Sequence, residues 1–190
     1  MTVVEAPSTR QRVVAAAIAL TTAEGWAAVT MARLADDAGV SRQTVYNEVG
    51  SKAGLAEAMV LTELDRFLAI VDEGFRSQPG ALRAAVRAAV RGVLREAAGN
   101  DLLRTIVAPG GGDLLPPLTT DAAALLDAAK AVVLERLAPY DLAVRGRSLE
   151  AAVDMLVRTV LGHVMQPSGA PDRSADDIAV LAERLLTTTA

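Results

Sequence analysis

Apolar residues recur at helical spacing along this chain, in segments separated by glycine and proline. Hydrophobic residues make up 52% of the chain but aromatic residues only 3%, so the core has to be built from alanine, leucine and valine. Alanine and leucine rank among the strongest helix formers, whereas the aromatic residues that favour strands are scarce. The sequence therefore predicts an all-α fold.

The lengths of these segments predict two domains. The first three helical patterns are short and are joined by tight turns at glycine, and longer patterns follow them. Three such short helices form a unit too small to stand well alone, which has to pack on the rest. We expect an N-terminal domain over residues 8–52 and a C-terminal helical bundle over residues 53–190. The patterns run over about 8–23, 30–37, 41–48, 52–75, 80–98, 101–108, 120–138, 147–165 and 174–188.

The second and third patterns have the spacing of a helix-turn-helix, with the turn around Gly39. Thr30 and Ser41 stand where helix N-caps belong. The third pattern carries arginine, glutamine, threonine, tyrosine and asparagine, where a purely structural helix more often carries alanine and glutamate. This composition indicates a DNA-reading surface. The candidate DNA-binding residues are Thr30, Ser41, Arg42, Gln43, Thr44, Tyr46, Asn47 and Lys52.

These residue types suit two kinds of DNA contact. Arg42 or Gln43 can make bidentate contacts to guanine or adenine edges, and Thr44 can touch a thymine methyl. Which of them reads a base stays open. The capped end of the helix suits a phosphate, because free backbone N–H groups point outward there. Tyr46, Thr30 and Lys52 are also better placed for phosphates, which set register without reading sequence.

Residues 8 to 60 resemble the DNA-binding domain of the TetR/AcrR family of transcriptional repressors. The resemblance rests on TMARLADDAGVSRQTVY at 30–46 and GSKAGL at 50–55, in the family's order and spacing. It implies a homodimer on a DNA operator of two half-sites, and a C-terminal helical domain whose ligand pocket controls the spacing of the two reading heads. Val49 departs from the family, which usually has an aromatic residue there. Packing under Tyr46 is then either slacker or filled by Trp26.

The charge of the chain limits how it can bind DNA. Its net charge is −4, which argues against non-specific coating of nucleic acid. The first sixty residues hold five basic and six acidic side chains. We therefore expect modest non-specific affinity and a shallow salt dependence, because the salt slope scales with the number of phosphates neutralised.

Apolar side chains between about residues 80 and 138 are candidates for the wall of an effector pocket. For each of them, the alternative is an ordinary bundle core. Scarcity of aromatic residues favours an aliphatic effector, such as a fatty acyl or alkyl compound. The stretch APGGGDLLPPL at 108–118 is either a lid over this pocket or a mobile surface loop. The candidate effector-binding residues are Leu102, Leu103, Ile106, Val107, Leu125 and Leu126.

Four arginines recur every fourth residue, at 83, 87, 91 and 95, and form one stripe of a helix. Either this stripe is a solvated face of the helix, or one of its arginines contacts a carboxylate of the effector.

The last two patterns are expected to form the dimer interface, as a four-helix bundle with their symmetry mates. The alternative is that their apolar stripes form the core of a monomer. His163 lacks a second histidine or a cysteine with which to hold a metal, so it is expected in a capping or interface role. The stripes consist of Leu149, Val153, Leu156, Val160 and Val164 and of Ile178, Leu181, Ala182 and Leu185.

Several classes of function have no support in the sequence. It contains no cysteine, no nucleophile paired with a base, no metal-ligand cluster and no phosphate-binding glycine loop, so we expect neither an enzyme nor a cofactor. No apolar run approaches the length of a membrane span, and we expect a cytoplasmic protein. The alternative to a regulator is a helical small-molecule-binding protein whose DNA-binding head is weak or unused.

Overall fold

The computed structural model describes residues 6–107 and 122–188, apart from the side chains of Ile106, Val107 and Ala122. Helices connected by turns form these two ranges, and no strand occurs in them, which confirms the predicted all-α class. The helices are α1 (Thr9–Glu24), α2 (Met31–Ala38), α3 (Arg42–Val49), α4 (Lys52–Arg76), α5 (Leu82–Gly99), α6 (Asp101–Val107), α7 (Ala122–Leu137), α8 (Gly146–Met165) and α9 (Pro171–Thr187).

The helices begin and end close to the predicted positions, with two differences. A 3-10 turn, Trp26–Ala28, separates α1 from α2 and was not predicted. The last helix begins at Pro171, three residues earlier than expected, because proline is well suited to the first turn of a helix. The stretch 108–118, expected as a lid or a loop, lies outside the described residues.

The described residues form two compact units. The first unit holds residues 6–63 and 101–107, and the second holds residues 64–100 and 123–188. The domain boundary that we expect after residue 52 concerns which part of the chain folds independently, and it stays a prediction.

The first unit is built around a core of small and medium apolar side chains. Val45 and Val49 anchor α3 in this core, and Leu102 of α6 reaches it from a distant part of the sequence. Val49 is only 6% exposed, and Trp26 packs at the edge of the same cluster. The buried members are Val13, Val14, Ala17, Leu20, Val29, Leu34, Ala35, Val45, Val49, Leu55, Ala56, Ala58, Met59 and Leu102.

The second unit is dominated by the packing of α5 against α9. Alanines line both helices at the contact, including Ala85 and Ala89 on α5 and Ala175 and Ala179 on α9. A further close approach joins α4 to α5, where a Cβ on Gly74 would collide with the backbone of Ala89. Small side chains bring these helices together and leave little room for larger ones.

The arginine stripe of α5 faces acidic residues of α9. Arg87 forms an ion pair with Asp176, and Arg95 contacts Asp172 with an N–O distance of 2.8 Å. Weaker pairs of 3.9 to 4.0 Å join Arg83 to Glu183 and Arg91 to Asp172. The stripe is a partly solvated face, with each arginine side chain 39–57% exposed, and its partners are carboxylates of the same chain. A contact with an effector carboxylate stays a prediction.

The apolar stripes expected at a dimer interface lie largely inside the second unit. Val153 of α8 and Ile178 and Ala182 of α9 are buried, and the remaining members of the α8 stripe pack on the same core. The large apolar residues that these two helices expose include two members of the α9 stripe, Leu181 and Leu185, and three residues of α8 that lie outside its stripe. These three are Met155, Leu161 and Met165. Helical periodicity identifies the apolar face but not which chain covers it, so the dimer interface stays a prediction.

Candidate nucleic-acid interface

The third helix begins at a serine cap. Ser41 has extended backbone angles, and its Oγ accepts a hydrogen bond from the backbone N–H of Thr44 at 3.1 Å. The Thr44 hydroxyl lies 2.9 Å from the same oxygen, and Thr44 as a whole is half-buried. The predicted cap is confirmed. Thr44 is thereby tied to the start of the helix, with less freedom to reach a base than its exposed neighbours have.

The outward face of α3 is polar and exposed. Arg42, Gln43 and Asn47 all lie on it, and Tyr46 is 48% exposed. The Gln43 Nε2 donates a hydrogen bond to the Asn47 Oδ1 at 3.0 Å, so these two amides are linked along the surface. Val45 on the opposite face is fully buried. One side of α3 thus fixes the helix in the unit, and the other presents hydrogen-bonding groups.

Helix α2 begins at a threonine cap and ends at the turn that precedes α3. The Thr30 Oγ1 accepts from the backbone N–H of Arg33 at 3.3 Å, which confirms the second predicted cap. At the other end Gly39 adopts a left-handed conformation with φ of 65° and ψ of 42°. Glycine takes this conformation at little cost, whereas a β-branched residue would be strained. The turn fixes the angle between α2 and α3.

Lys52, at the start of α4, has partners within the protein. Its Nζ donates to the carbonyl oxygen of Trp26 at 3.0 Å and lies 4.7 Å from the centre of the Trp26 ring. An ammonium has three donors, so a phosphate can still be bound by the remaining ones. These contacts hold the charge at one place on the surface.

Arg33 is neutralised by an acidic neighbour. Its guanidinium donates to both Glu24 carboxylate oxygens, at 2.5 and 2.7 Å. These hydrogen bonds lower the pKa of Glu24 from its ordinary value and raise the pKa of Arg33. The pair leaves less basic charge for DNA than the count of arginines suggests, in line with the modest electrostatics expected of this region.

The candidate effector-binding residues are placed in both units. Leu102 is 3% exposed within the core of the first unit, and Leu103 is half-buried on the same helix. The side chains of Ile106 and Val107 lie outside the described residues. In the second unit, Leu125 and Leu126 are half-buried on α7.

His163 lies near the end of α8. Its Nδ1 is 2.9 Å from the carbonyl oxygen of Thr159, one turn earlier in the helix. The ring lines an open groove of about 590 Å³ with Ile178, Leu181 and Asp177. Among the described residues, no three acidic, histidine or cysteine side chains are grouped so that they could hold a metal ion. None of the described helices is long and apolar enough to cross a membrane.

One feature of this region was not predicted. Arg10 of α1 donates a hydrogen bond to the carbonyl oxygen of Glu48, at the end of α3. The two residues are 38 positions apart, so no local sequence pattern predicts the contact. An arginine in the first turn of a helix, where acidic residues are usually favoured, is the only sequence signal.

Comparisons with known proteins agree with this architecture. Residues 13–59 match the family described as bacterial regulatory proteins, tetR family, and residues 81–184 match the bacterial tetracyclin repressor, C-terminal domain. The HTH-type transcriptional regulator AlkX of Mycobacterium tuberculosis is 31% identical over 157 residues, which cover 82% of this chain and 74% of that protein.

Solved structures show the same fold. The TetR family repressor AlkX from Dietzia sp., implicated in biodegradation of n-alkanes, aligns with a TM-score of 0.76 at 30% identity. The alignment covers 94% of this chain and 95% of that one. A TetR-family regulator from Mesorhizobium loti aligns with a TM-score of 0.67 at 18% identity, covering 95% and 97% of the two chains, a likeness of fold alone.

The proteins of this family regulate transcription by binding DNA, usually as dimers that respond to small molecules, and are not enzymes. Both domain matches and the AlkX relatives support one assignment, because together they cover the DNA-binding head and the C-terminal helices. The chain belongs to the TetR family of transcriptional regulators.

Proposed function

We propose that this regulator is a repressor that binds an operator of two half-sites as a homodimer and is released by a small apolar effector of the aliphatic class. The observation that carries the proposal is the exposed polar face of α3, held by the Ser41 cap at one end and by buried Val45 beneath. A helix that is anchored on one side and polar on the other suits the major groove.

The residues of this region divide into two roles. Arg42, Gln43 and Asn47 are exposed on α3 and are proposed to read base edges, with Thr44 contributing at most a methyl contact. The backbone contacts are proposed to come from the capped helix ends and from two longer side chains. These phosphate-binding residues are Thr30, Ser41, Tyr46 and Lys52.

The homodimer is proposed to form through α8 and α9. Each of these helices buries one face in its own unit and exposes apolar residues on another, among them Met155 on α8 and Leu181 on α9, which is 54% exposed. Large exposed apolar side chains on adjacent helices are typical of an interaction surface. A symmetric dimer brings two copies of α3 to the two half-sites of an operator.

The effector is proposed to bind among apolar side chains of the C-terminal helices. Leu125 and Leu126 support this proposal, because they stay half-buried on α7. Leu102 is better explained as core, given its burial. Leu103, Ile106 and Val107 stay candidates. The AlkX repressor of Dietzia sp. is implicated in n-alkane biodegradation, and this supports an aliphatic effector for the present chain.

Release is proposed to be a shift of population. An effector that binds the dimer in which the two copies of α3 are badly spaced lowers the fraction that can bind DNA. Complete release requires that the effector prefer this state by about 5 kcal/mol, since a smaller preference leaves much of the operator occupied.

A titration of fluorescent DNA tests the proposal. The probe is the duplex that flanks the protein's own gene, and fluorescence anisotropy is recorded with and without a medium-chain n-alkane or fatty acid. We expect saturable binding with two subunits per duplex, and release by the aliphatic compound. Binding of the aliphatic compound without any DNA binding would favour the alternative, a helical small-molecule-binding protein with an unused head.

Substitutions within the head separate the two proposed roles. Tyr46→Phe and Lys52→Ala should weaken binding to all duplexes alike, whereas Arg42→Ala and Gln43→Ala should change the preference among sequences. Each changed base contact is expected to cost about 1–3 kcal/mol of discrimination. If all four variants bind like the original chain, the assignment of α3 as the reading helix is wrong.

A further inference from the structure

We propose that Arg10 is a positioning residue for the reading helix, and that it sets how well the protein discriminates between DNA sequences. Its guanidinium Nη1 donates a hydrogen bond to the carbonyl oxygen of Glu48, in the last turn of α3. The inference rests on the proposed function, in which α3 reads base edges.

The C-terminal end of α3 needs donors from elsewhere. The last four carbonyls of a helix have no partner within it, and α3 is only eight residues long, so half of its carbonyls are in this position. The backbone N–H of Gly50 satisfies Tyr46 at 2.8 Å, and that of Ser51 satisfies Val49 at 2.7 Å. Arg10 supplies a donor for Glu48 from another helix.

The charge of Arg10 adds to this contact. A cation near the C-terminus of a helix interacts favourably with the partial negative charge there, and a hydrogen bond from a charged donor is stronger than one between neutral groups. The contact also links the first turn of α1 to the last turn of α3, so it restrains the direction of α3 and not only its length.

A second close contact is made at the same end of α3. A Cβ on Gly54 of α4 would fall inside contact distance of the Val49 carbonyl oxygen. The start of α4 therefore packs directly on the backbone at the end of α3. Arg10 and Gly54 approach the last turn from two different helices, and together with the Ser41 cap they hold both ends of α3.

The alternative role for Arg10 is a direct contact to a DNA phosphate, and the two roles differ in a measurable way. A phosphate contact adds affinity for every sequence and steepens the salt dependence by about 0.9 in the log–log slope. A positioning contact leaves this slope unchanged, since no counterion is released, but affects selected sequences more than scrambled ones.

The experiment uses the full chain and a duplex selected by it from a random library, with a scrambled duplex as reference. We compare Arg10→Ala, Arg10→Lys and the control Arg12→Ala, which removes an exposed arginine from the same helix. Arg10→Ala should reduce the ratio of the two affinities about tenfold, as expected for loss of a charged hydrogen bond. Its salt slope should match the original, Arg10→Lys should recover most of the ratio, and Arg12→Ala should leave it unchanged.

Amide hydrogen exchange in the free protein gives a readout independent of DNA. The Gly50 N–H, which bonds to Tyr46, should exchange faster in Arg10→Ala, while amides at the Ser41 end of α3 stay as they are. Equal loss of affinity for both duplexes with a shallower salt slope would overturn the inference, as would an unchanged ratio. If the original chain selects no duplex, the proposed function has failed, and unchanged exchange at Gly50 then overturns the positioning contact separately.

Discussion

The two units of this protein hold their helices by different means. In the first unit, Ser8, Thr30 and Ser41 each accept a hydrogen bond from a backbone N–H three residues later. In the second unit, α5, α8 and α9 begin without any such side-chain cap. Short helices depend on their ends, because most of their backbone groups lie in the first or last turn, whereas long helices depend on the packing of their faces.

This difference matters for function. Two of these caps, Thr30 and Ser41, are also proposed to meet phosphates, so stability and DNA contact share residues there. In the second unit the faces of α8 and α9 serve both an internal core and an exposed surface. A mutation in the first unit therefore tends to change DNA binding and stability together, and the two effects have to be separated by controls.

The largest expected effect concerns the core of the first unit and tests whether α6 contributes to it from a distant part of the sequence. Leu102→Ala removes a buried side chain that reaches this core from α6, and should lower its free energy of unfolding by about 2–5 kcal/mol. Urea denaturation followed by the fluorescence of Trp26, the single tryptophan, measures it. Leu125→Ala, at a half-buried position of α7, should leave this transition in place. A stable Leu102→Ala variant that binds aliphatic compounds poorly would instead make Leu102 an effector contact.

A second substitution tests packing by faces in the second unit. Gly74→Ala places a methyl group against the backbone of Ala89, and overpacking of this kind costs about 1–3 kcal/mol. Denaturation followed by circular dichroism reports the loss. The control is Gly99→Ala, because a Cβ there meets no atom within 4 Å. Equal stabilities of the two variants would show that α4 and α5 are not in close contact.

The caps provide a matched pair within the first unit. Ser41→Ala and Ser8→Ala each remove an N-cap and should each cost about 1 kcal/mol of stability. Only Ser41→Ala should also weaken operator binding beyond what the loss of folded protein explains, because only α3 is proposed to enter the groove. Anisotropy titrations at a temperature where both variants are fully folded measure this difference. Equal weakening by both would remove the special role of the α3 cap.

The smallest effect concerns the ion pairs between α5 and α9. The Arg87 guanidinium, which donates a hydrogen bond to Asp176, holds the pKa of that carboxyl below its usual value. The pair therefore stabilises the fold above the ordinary aspartate pKa of about 3.9, and this contribution is lost as the pH falls through the lowered value. Asp176→Asn should reduce the melting temperature slightly at neutral pH.

The pH dependence distinguishes this pair from general surface charge. The difference between Asp176→Asn and the original chain should shrink as the pH falls from the ordinary aspartate pKa of about 3.9 through the lowered pKa of Asp176, where the folded carboxylate also becomes protonated. Asp177→Asn, at an exposed position on the same helix, is the control and should show little difference at any pH. A pH-independent loss in Asp176→Asn would assign the effect to packing.

The features that the sequence predicts well are local ones. Thr30 and Ser41 as caps, Gly39 as the turn and the polar composition of α3 are each decided by a few neighbouring residues, and the structure confirms the caps and the turn. The function follows from the same short stretch. The resemblance to the TetR family rests on it, and the comparisons confirm the family.

Features that depend on distant residues were not predicted. The acidic partners of the arginine stripe lie about ninety positions later in the chain, and the arginine spacing alone cannot identify them. The contact of Arg10 with Glu48, 38 positions later, also needs the folded arrangement of α1 and α3. Helical spacing alone also did not identify Met155, Leu161 and Met165 as the large apolar residues that α8 exposes.

The alanine contact between α5 and α9 has a mechanical consequence. Alanine has no side-chain rotamers, so this contact loses no rotamer freedom when it forms, and it also has no alternative rotamer with which to adapt. We therefore expect α5 and α9 to stay together as one stiff pair if the second unit rearranges. A rearrangement inside the second unit is better sought in α7, where Leu125 and Leu126 are half-buried.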